Sequence, residues 1–144
     1  MNREIKFRAW YNDKMHHGIE KHHVEHNSMS GRGGDVWDFN DWLKYSKVMQ
    51  FTGFKDKNGK EIYEGDILET ISKNFHQMQG IDLRFLMVVD FYDGSFNSPY
   101  IYRRIGESKS EVVGRAFNHT SKDFKKYEII GNIYENPELI KTEL

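Results

Sequence analysis

Residues Phe51 to Leu68 read FTGFKDKNGKEIYEGDIL and hold two glycine turns between three short runs of strand composition. Few segments restrict a chain so strongly. Asn58-Gly59 is a hairpin signal, because a turn that needs φ > 0 suits Gly freely and Asn at little cost. Asp56 stands where its side-chain oxygen can accept from backbone just ahead of it. Glu64-Gly65-Asp66 reverses the chain again, and Ile67, Leu68 and Ile71 continue as the next strand. A helix cannot carry this pattern, so a β-sheet must be built around it.

The rest of the chain agrees. Ile5, Phe7 and Ala9 alternate with Lys6, Arg8 and Trp10, which is the period of a strand with one buried face. Tyr11 to Lys14 reads as a turn, with Met15 starting a return strand. Residues 16–34 read as a His-rich, Gly-rich loop, and Asp38 is placed to cap a short helix carrying Trp42, Leu43 and Tyr45. Val48, Met49 and Phe51 lead into the hairpin. Leu83 to Tyr92 is the longest apolar run and the expected central strand, closed by Asp93-Gly94. Tyr100–Tyr102 and Glu111–Gly114 are expected strands. Lys126 to Tyr134 is the last, with Gly131 marking a bulge or bend. Asn136-Pro137-Glu138 reads as the capped start of a one-turn C-terminal helix.

These elements predict a mainly β (α+β) fold: a small SH3-like or barrel-like antiparallel sheet over residues 47–144. An N-terminal subdomain over residues 1–46 holds a hairpin, the His-rich loop and the short helix. A chain of 144 residues suffices for one such domain and a subdomain.

IKFRAW near the start, MQFTGFKDKNGKEIYEGDIL in the middle and YEIIGNIYENPELI near the end together resemble the YopX family of phage and prophage proteins. The resemblance implies a small phage-borne cytoplasmic protein of mainly β build, and it brings no catalytic residues with it. The His-rich insert from His16 to His26 is not part of the family pattern.

The absence of cysteine excludes a disulfide scaffold and thiolate metal sites. No apolar run reaches the roughly 18 residues of a membrane-spanning helix, so no membrane association is expected. MNREIKFRAW has no apolar core of a signal peptide, which agrees with a cytoplasmic location. Neither a Walker loop, a G-x-S-x-G elbow nor a dinucleotide fingerprint occurs, and no cofactor is expected.

Four constellations remain. His22 and His26 would share a face if HHVEH were helical, as two zinc ligands do; an exposed His-rich segment is the plainer account. Asp56, Glu61, Glu64 and Asp66 gather around the two turns, as a metal-dependent hydrolase requires, although turns favour Asp in any case. Residues 95–126 carry seven basic against three acidic groups, while the whole chain is at −1. There Arg103, Arg104, Arg115, Lys122, Lys125 and Lys126 interleave with Tyr100, Tyr102, Phe117 and Phe124, a pattern able to hold phosphates and stack bases. Trp10, Tyr63 and Tyr92 are candidates for an outward contact face, since Tyr and Trp are enriched at interface hot spots. The leading expectation is a non-enzymatic accessory protein that binds protein, including copies of itself as a homo-oligomer. A nucleic-acid-binding module is second and a metal-dependent hydrolase third.

Overall fold

A computed structural model describes residues 4–21, 44–72, 83–92, 95–104, 110–116 and 124–140. The protein is mainly β and antiparallel, with strands β1 (Phe7–Tyr11), β2 (Lys14–His17), β3 (Lys47–Lys55), β4 (Glu61–Tyr63), β5 (Asp66–Ser72), β6 (Leu83–Val88), β7 (Asp90–Tyr92), β8 (Ser95–Arg104), β9 (Ser110–Ala116) and β10 (Glu128–Asn132). It divides into two compact units, Met1–Phe51 and Thr52–Leu144. The division falls inside β3; the sequence reading placed it just ahead of Lys47.

In the first unit β1 pairs with β2 and with the leading part of β3. The β1–β2 loop is Asn12-Asp13, and both residues have φ > 0, at 49° and 56°. Such a loop matches the right-handed twist of its two strands. Ala9 and Ile19 are buried, with Phe7 and Tyr11 packed against them. His16 and His17 belong to β2, not to a loop. The His16 ring lies 6.5 Å from that of Tyr11, with Nε2 3.3 Å from the Tyr11 carbonyl oxygen.

In the second unit the strands run in the order β10-β5-β6-β8-β7, with β9 also on β8, as a curled, barrel-like sheet. Its core holds Ile62, Leu68, Met87, Val89 and Phe124, with Phe54, Phe96, Tyr127 and Ile129 packed around them. The expected single strand from Leu83 to Tyr92 is instead two. Val89 interrupts it: its N–H donates to the Asp66 carbonyl at 2.9 Å and its carbonyl accepts from Gly65 N–H at 2.8 Å. Those groups therefore serve the turn after β4, and β8 pairs with β6 and β7 on either side of the break.

The bulge expected at Gly131 is present. Ile129 pairs with Leu68 and Gly131 with Ile67, so Ile130 is the extra residue. Gly131 is glycine because a Cβ there would lie 2.4 Å from Asn136 Oδ1 and 2.8 Å from its Cγ. The C-terminal helix is only a 3-10 turn, Pro137–Leu139, and Asn136 does not cap it. Its side chain turns back instead, and Oδ1 accepts from Asn132 N–H at 3.4 Å. Gly131→Ala is expected to cost about 1–3 kcal/mol by overpacking. In thermal melts the double variant with Asn136→Gly should recover much of that loss, a coupling that independent sites would not show.

Candidate functional site

The residues with the most distinctive sequence meet around Asp56, which is 4% exposed. The 56–60 segment is a hairpin loop in which Asp56 N–H donates to the Lys60 carbonyl (2.9 Å) and Gly59 N–H to the Asp56 carbonyl (3.0 Å). Gly59 alone of the pair takes positive φ, at 80°. This is a turn closed by a left-handed glycine, one of the standard longer hairpin loops. The Asp56 carboxylate organises it. Oδ1 accepts from Asn58 N–H and Lys60 N–H, both at 2.9 Å, while Oδ2 accepts from Ile129 N–H at 3.0 Å. One side chain thus builds its own turn and fastens it to β10.

Two further links run alongside. Lys57 N–H donates to the Tyr127 carbonyl at 2.9 Å, and Lys57 Nζ lies 2.8 Å from Glu128 Oε2. Asn58 Nδ2 donates to Glu128 Oε1 at 3.4 Å. The hydrogen bond from Lys57 is the main reason that the Glu128 carboxyl sits below its ordinary pKa, and the Lys57 ammonium is raised by the same bond. β10 pairs with β5 on one side. Its other edge is occupied by the Asp56 loop and the Asn136 side chain, which answers the usual hazard of an edge strand.

The Glu128 shift has a testable sign. A carboxyl whose pKa is depressed on folding stabilises above its unfolded pKa and loses that contribution as pH falls through the folded value. The urea midpoint of wild type should therefore exceed that of Glu128→Gln above about pH 5, with the gap closing toward about pH 3. Because the pair is exposed, the gap should be small and should shrink in high salt.

The second turn repeats the logic of the first. Gly65 has φ 80°, Tyr63 N–H donates to Asp66 Oδ2 at 2.8 Å, and Ile133 N–H donates to the Gly65 carbonyl at 2.9 Å. Asp66 is 2% exposed. Asn132, also buried, accepts from Tyr134 N–H and Glu135 N–H through Oδ1 at 3.0 and 2.9 Å. Burial, and secondly Glu64, raises the Tyr134 phenol above its ordinary pKa.

The sequence-chosen site residues fare unevenly. Asp56 and Asp66 direct their carboxylates at backbone amides, and Glu61 Oε2 accepts from the Tyr63 hydroxyl at 3.1 Å. Among the described residues no group of three His, Cys, Asp or Glu is arranged to hold a metal ion. His22, His26, Phe117 and Lys122 lie outside the described residues, as do Asp38, Trp42 and Leu43 of the expected short helix. Lys44 and Tyr45 are helical, but Tyr45, expected to face inward, is exposed. Tyr63 does not face outward. It is buried, because the turn after β4 folds it under. Trp10 is half-buried in β1 opposite Met15 and Lys47, and Tyr92 pairs with Ser95.

The basic stretch is described only in part, by strand register and by the exposed Lys125 and Lys126. Register places Arg103 opposite Arg84, Arg104 opposite Leu83 and Arg115 opposite Pro99. Neighbouring strand positions belong to opposite faces, which separates the positions of Arg103 and Arg104. Arg84 is ion-paired with Glu69. Lys125 and Lys126 are exposed, whereas Phe124 beside them is 1% exposed and stacks on Phe54.

Sequence reasoning missed the large apolar side chains that do face outward. Among the described residues they are Ile5, Tyr45 and Val48 in the first unit, and Ile71 and Phe91 in the second. Val48 leads into the hairpin as expected, but it faces outward beside the exposed Lys47. Nothing in the sequence signalled that Asp56 and Ile129 meet, beyond an Asp placed ahead of a turn.

The model of the YopX protein family matches residues 6–141, nearly the whole chain. The chain belongs to the YopX family. The crystal structure of protein EF1440 from Enterococcus faecalis is similar to this YopX family member at 26% identity and a TM-score of 0.55. The match covers 97% of this chain and 100% of that one. No curated protein matches it. Two of the three segments that carry the YopX resemblance, around Asp56 and around Ile129, are the ones fastened together by the Asp56 carboxylate. Among the described residues no helix is long and apolar enough to cross a membrane.

Proposed function

We propose that this YopX family member is a phage-borne accessory protein acting in the host cytoplasm by binding protein, including a second copy of itself, without catalysis. One observation carries the reading. The Asp56, Asp66, Asn132 and Asn136 side chains of the distinctive motifs bond the protein's own backbone, while large apolar side chains stand exposed on the first unit. Ile5 is 61%, Tyr45 67% and Val48 45% exposed. Exposed apolar groups of this size gain free energy when a partner covers them. Light scattering over a range of concentrations tests the reading. Self-association should give a mass well above the 17.2 kDa of one chain and should weaken in Tyr45→Ser/Val48→Ser. A monomeric mass throughout, with hydrolysis abolished by changing one carboxylate, would replace binding with catalysis.

One observation favours nucleic acid as a second reading. Strand register puts the positions of Arg84 and Arg103 opposite each other on β6 and β8, and Arg103 lies in the segment where basic residues outnumber acidic ones. Filter binding at 50 and 200 mM salt measures this, since phosphate contacts weaken steeply with salt. No retention at the lower salt ends it.

A further inference from the structure

We propose that Asn58 is a site of spontaneous deamidation which the folded turn holds in check, and that conversion there loosens the fastening of the turn to β10. The reaction needs an asparagine followed by a residue whose backbone nitrogen can reach its side-chain carbonyl carbon. Asn58-Gly59 supplies this at an exposed position. Gly59 has no side chain and is itself exposed, so no bulky substituent hinders the attack of its nitrogen.

The chemistry requires only base and water. The Gly59 nitrogen gives its proton to hydroxide and adds to Asn58 Cγ. The Cγ–Nδ2 bond breaks, and Nδ2 leaves with a proton from water as ammonia. Water then opens the five-membered imide at Cγ to give aspartate, or at the backbone carbonyl to give isoaspartate.

Folding opposes the first step. The proton that must leave Gly59 is donated to the Asp56 carbonyl at 3.0 Å. A hydrogen bond made by the protonated form disfavours its loss. Asn58 N–H is also held, to Asp56 Oδ1 at 2.9 Å, so the backbone cannot turn toward the attack geometry without opening the loop. By contrast the leaving amide is held weakly, by Glu128 at 3.4 Å. Opening of the turn therefore sets the rate.

The product does not restore the native contacts. Aspartate at 58 sets a second carboxylate against Glu128, where an N–H donor had been. Isoaspartate adds a backbone carbon between two amides that must both reach Asp56 Oδ1.

Wild-type protein is incubated at mildly alkaline pH, folded or in urea, then digested, and the Asn58 peptide is followed by mass spectrometry. Conversion in the unfolded chain should exceed that in the folded chain by about tenfold or more, and sub-denaturing urea should raise the folded rate in steps. Folded Asp56→Ala should convert faster than wild type. Equal rates in folded and unfolded chains, or no conversion at Asn58 in the unfolded one, overturn the proposal. For the consequence, Asn58→Asp should have a lower urea midpoint than wild type near pH 7, with the gap narrowing as pH falls toward about 4. Equal midpoints at pH 7 overturn that part.

Discussion

Asp56→Ala is expected to destabilise the second unit by about 3–5 kcal/mol, a large share of the stability of a domain this size. The carboxylate accepts three backbone N–H groups, from Asn58, Lys60 and Ile129. A hydrogen bond to a charged acceptor contributes about 1.5–3 kcal/mol, so a simple sum would be larger. Two of the three donors belong to exposed residues, and water can replace the acceptor there at little cost. Ile129 N–H is different, because it belongs to a half-buried strand residue and truncation removes the acceptor that meets it across 73 positions of sequence. Asp56→Asn separates these effects. It keeps one carbonyl oxygen for the turn but sets an NH2 group against Ile129 N–H, so about half the loss should remain. Urea denaturation gives the magnitudes, and amide exchange at Ile129 gives the location. A loss under about 1 kcal/mol would mean that Lys57, Tyr127 and packing hold β10 without the carboxylate.

The same residue shows how far the sequence could be read. A turn at 56–60 was legible because it is local: an Asp that can bond ahead, an Asn and a Gly that takes φ 80° are all within five positions. The Gly131 bulge was legible for a similar reason, since glycine interrupts an apolar strand. The mainly β antiparallel fold follows from such local signals in series. What was not legible is long-range. No pattern in the chain says that Asp56 bonds Ile129, or that Val89 gives its backbone to the Gly65 turn and so divides a continuous apolar run into β6 and β7. Asn136 looked like a helix cap because its neighbours suit one; in the fold its side chain serves Asn132 and leaves room only for a glycine at 131. Which large side chains face outward was not legible for a further reason. Tyr63 and Val48 both sit in strand patterns, and which of the two is covered depends on elements far along the chain. In the YopX segments the Asp56 and Asp66 carboxylates bond backbone amides, contacts that a local pattern only half foretells.

Phe124→Ala should be the most damaging single change in the basic stretch, costing about 3–5 kcal/mol although lysines follow it directly. The ring is almost fully enclosed among Ile62, Leu68, Met87 and Val89. It stacks on Phe54 with centroids 4.7 Å apart at 19° and meets Tyr127 edge-on at 6.4 Å and 88°. Truncation removes apolar burial, opens a cavity and takes away the ring contacts to Phe54 and Tyr127. Phe124→Leu retains much of the apolar area, so its smaller loss should include the ring-specific share of about 0.5–1.5 kcal/mol per pair. The series also separates core from stacking platform. A ring that stacks a base loses about 1–3 kcal/mol of nucleic-acid affinity on removal, even in a folded variant. An enclosed ring has no face to offer, so folded Phe124→Leu should retain whatever affinity the wild type has, while Lys125→Ala/Lys126→Ala reduces it with a shallower salt slope. Loss of affinity in Phe124→Leu with unchanged melting would mean that the ring leaves the core to meet its ligand.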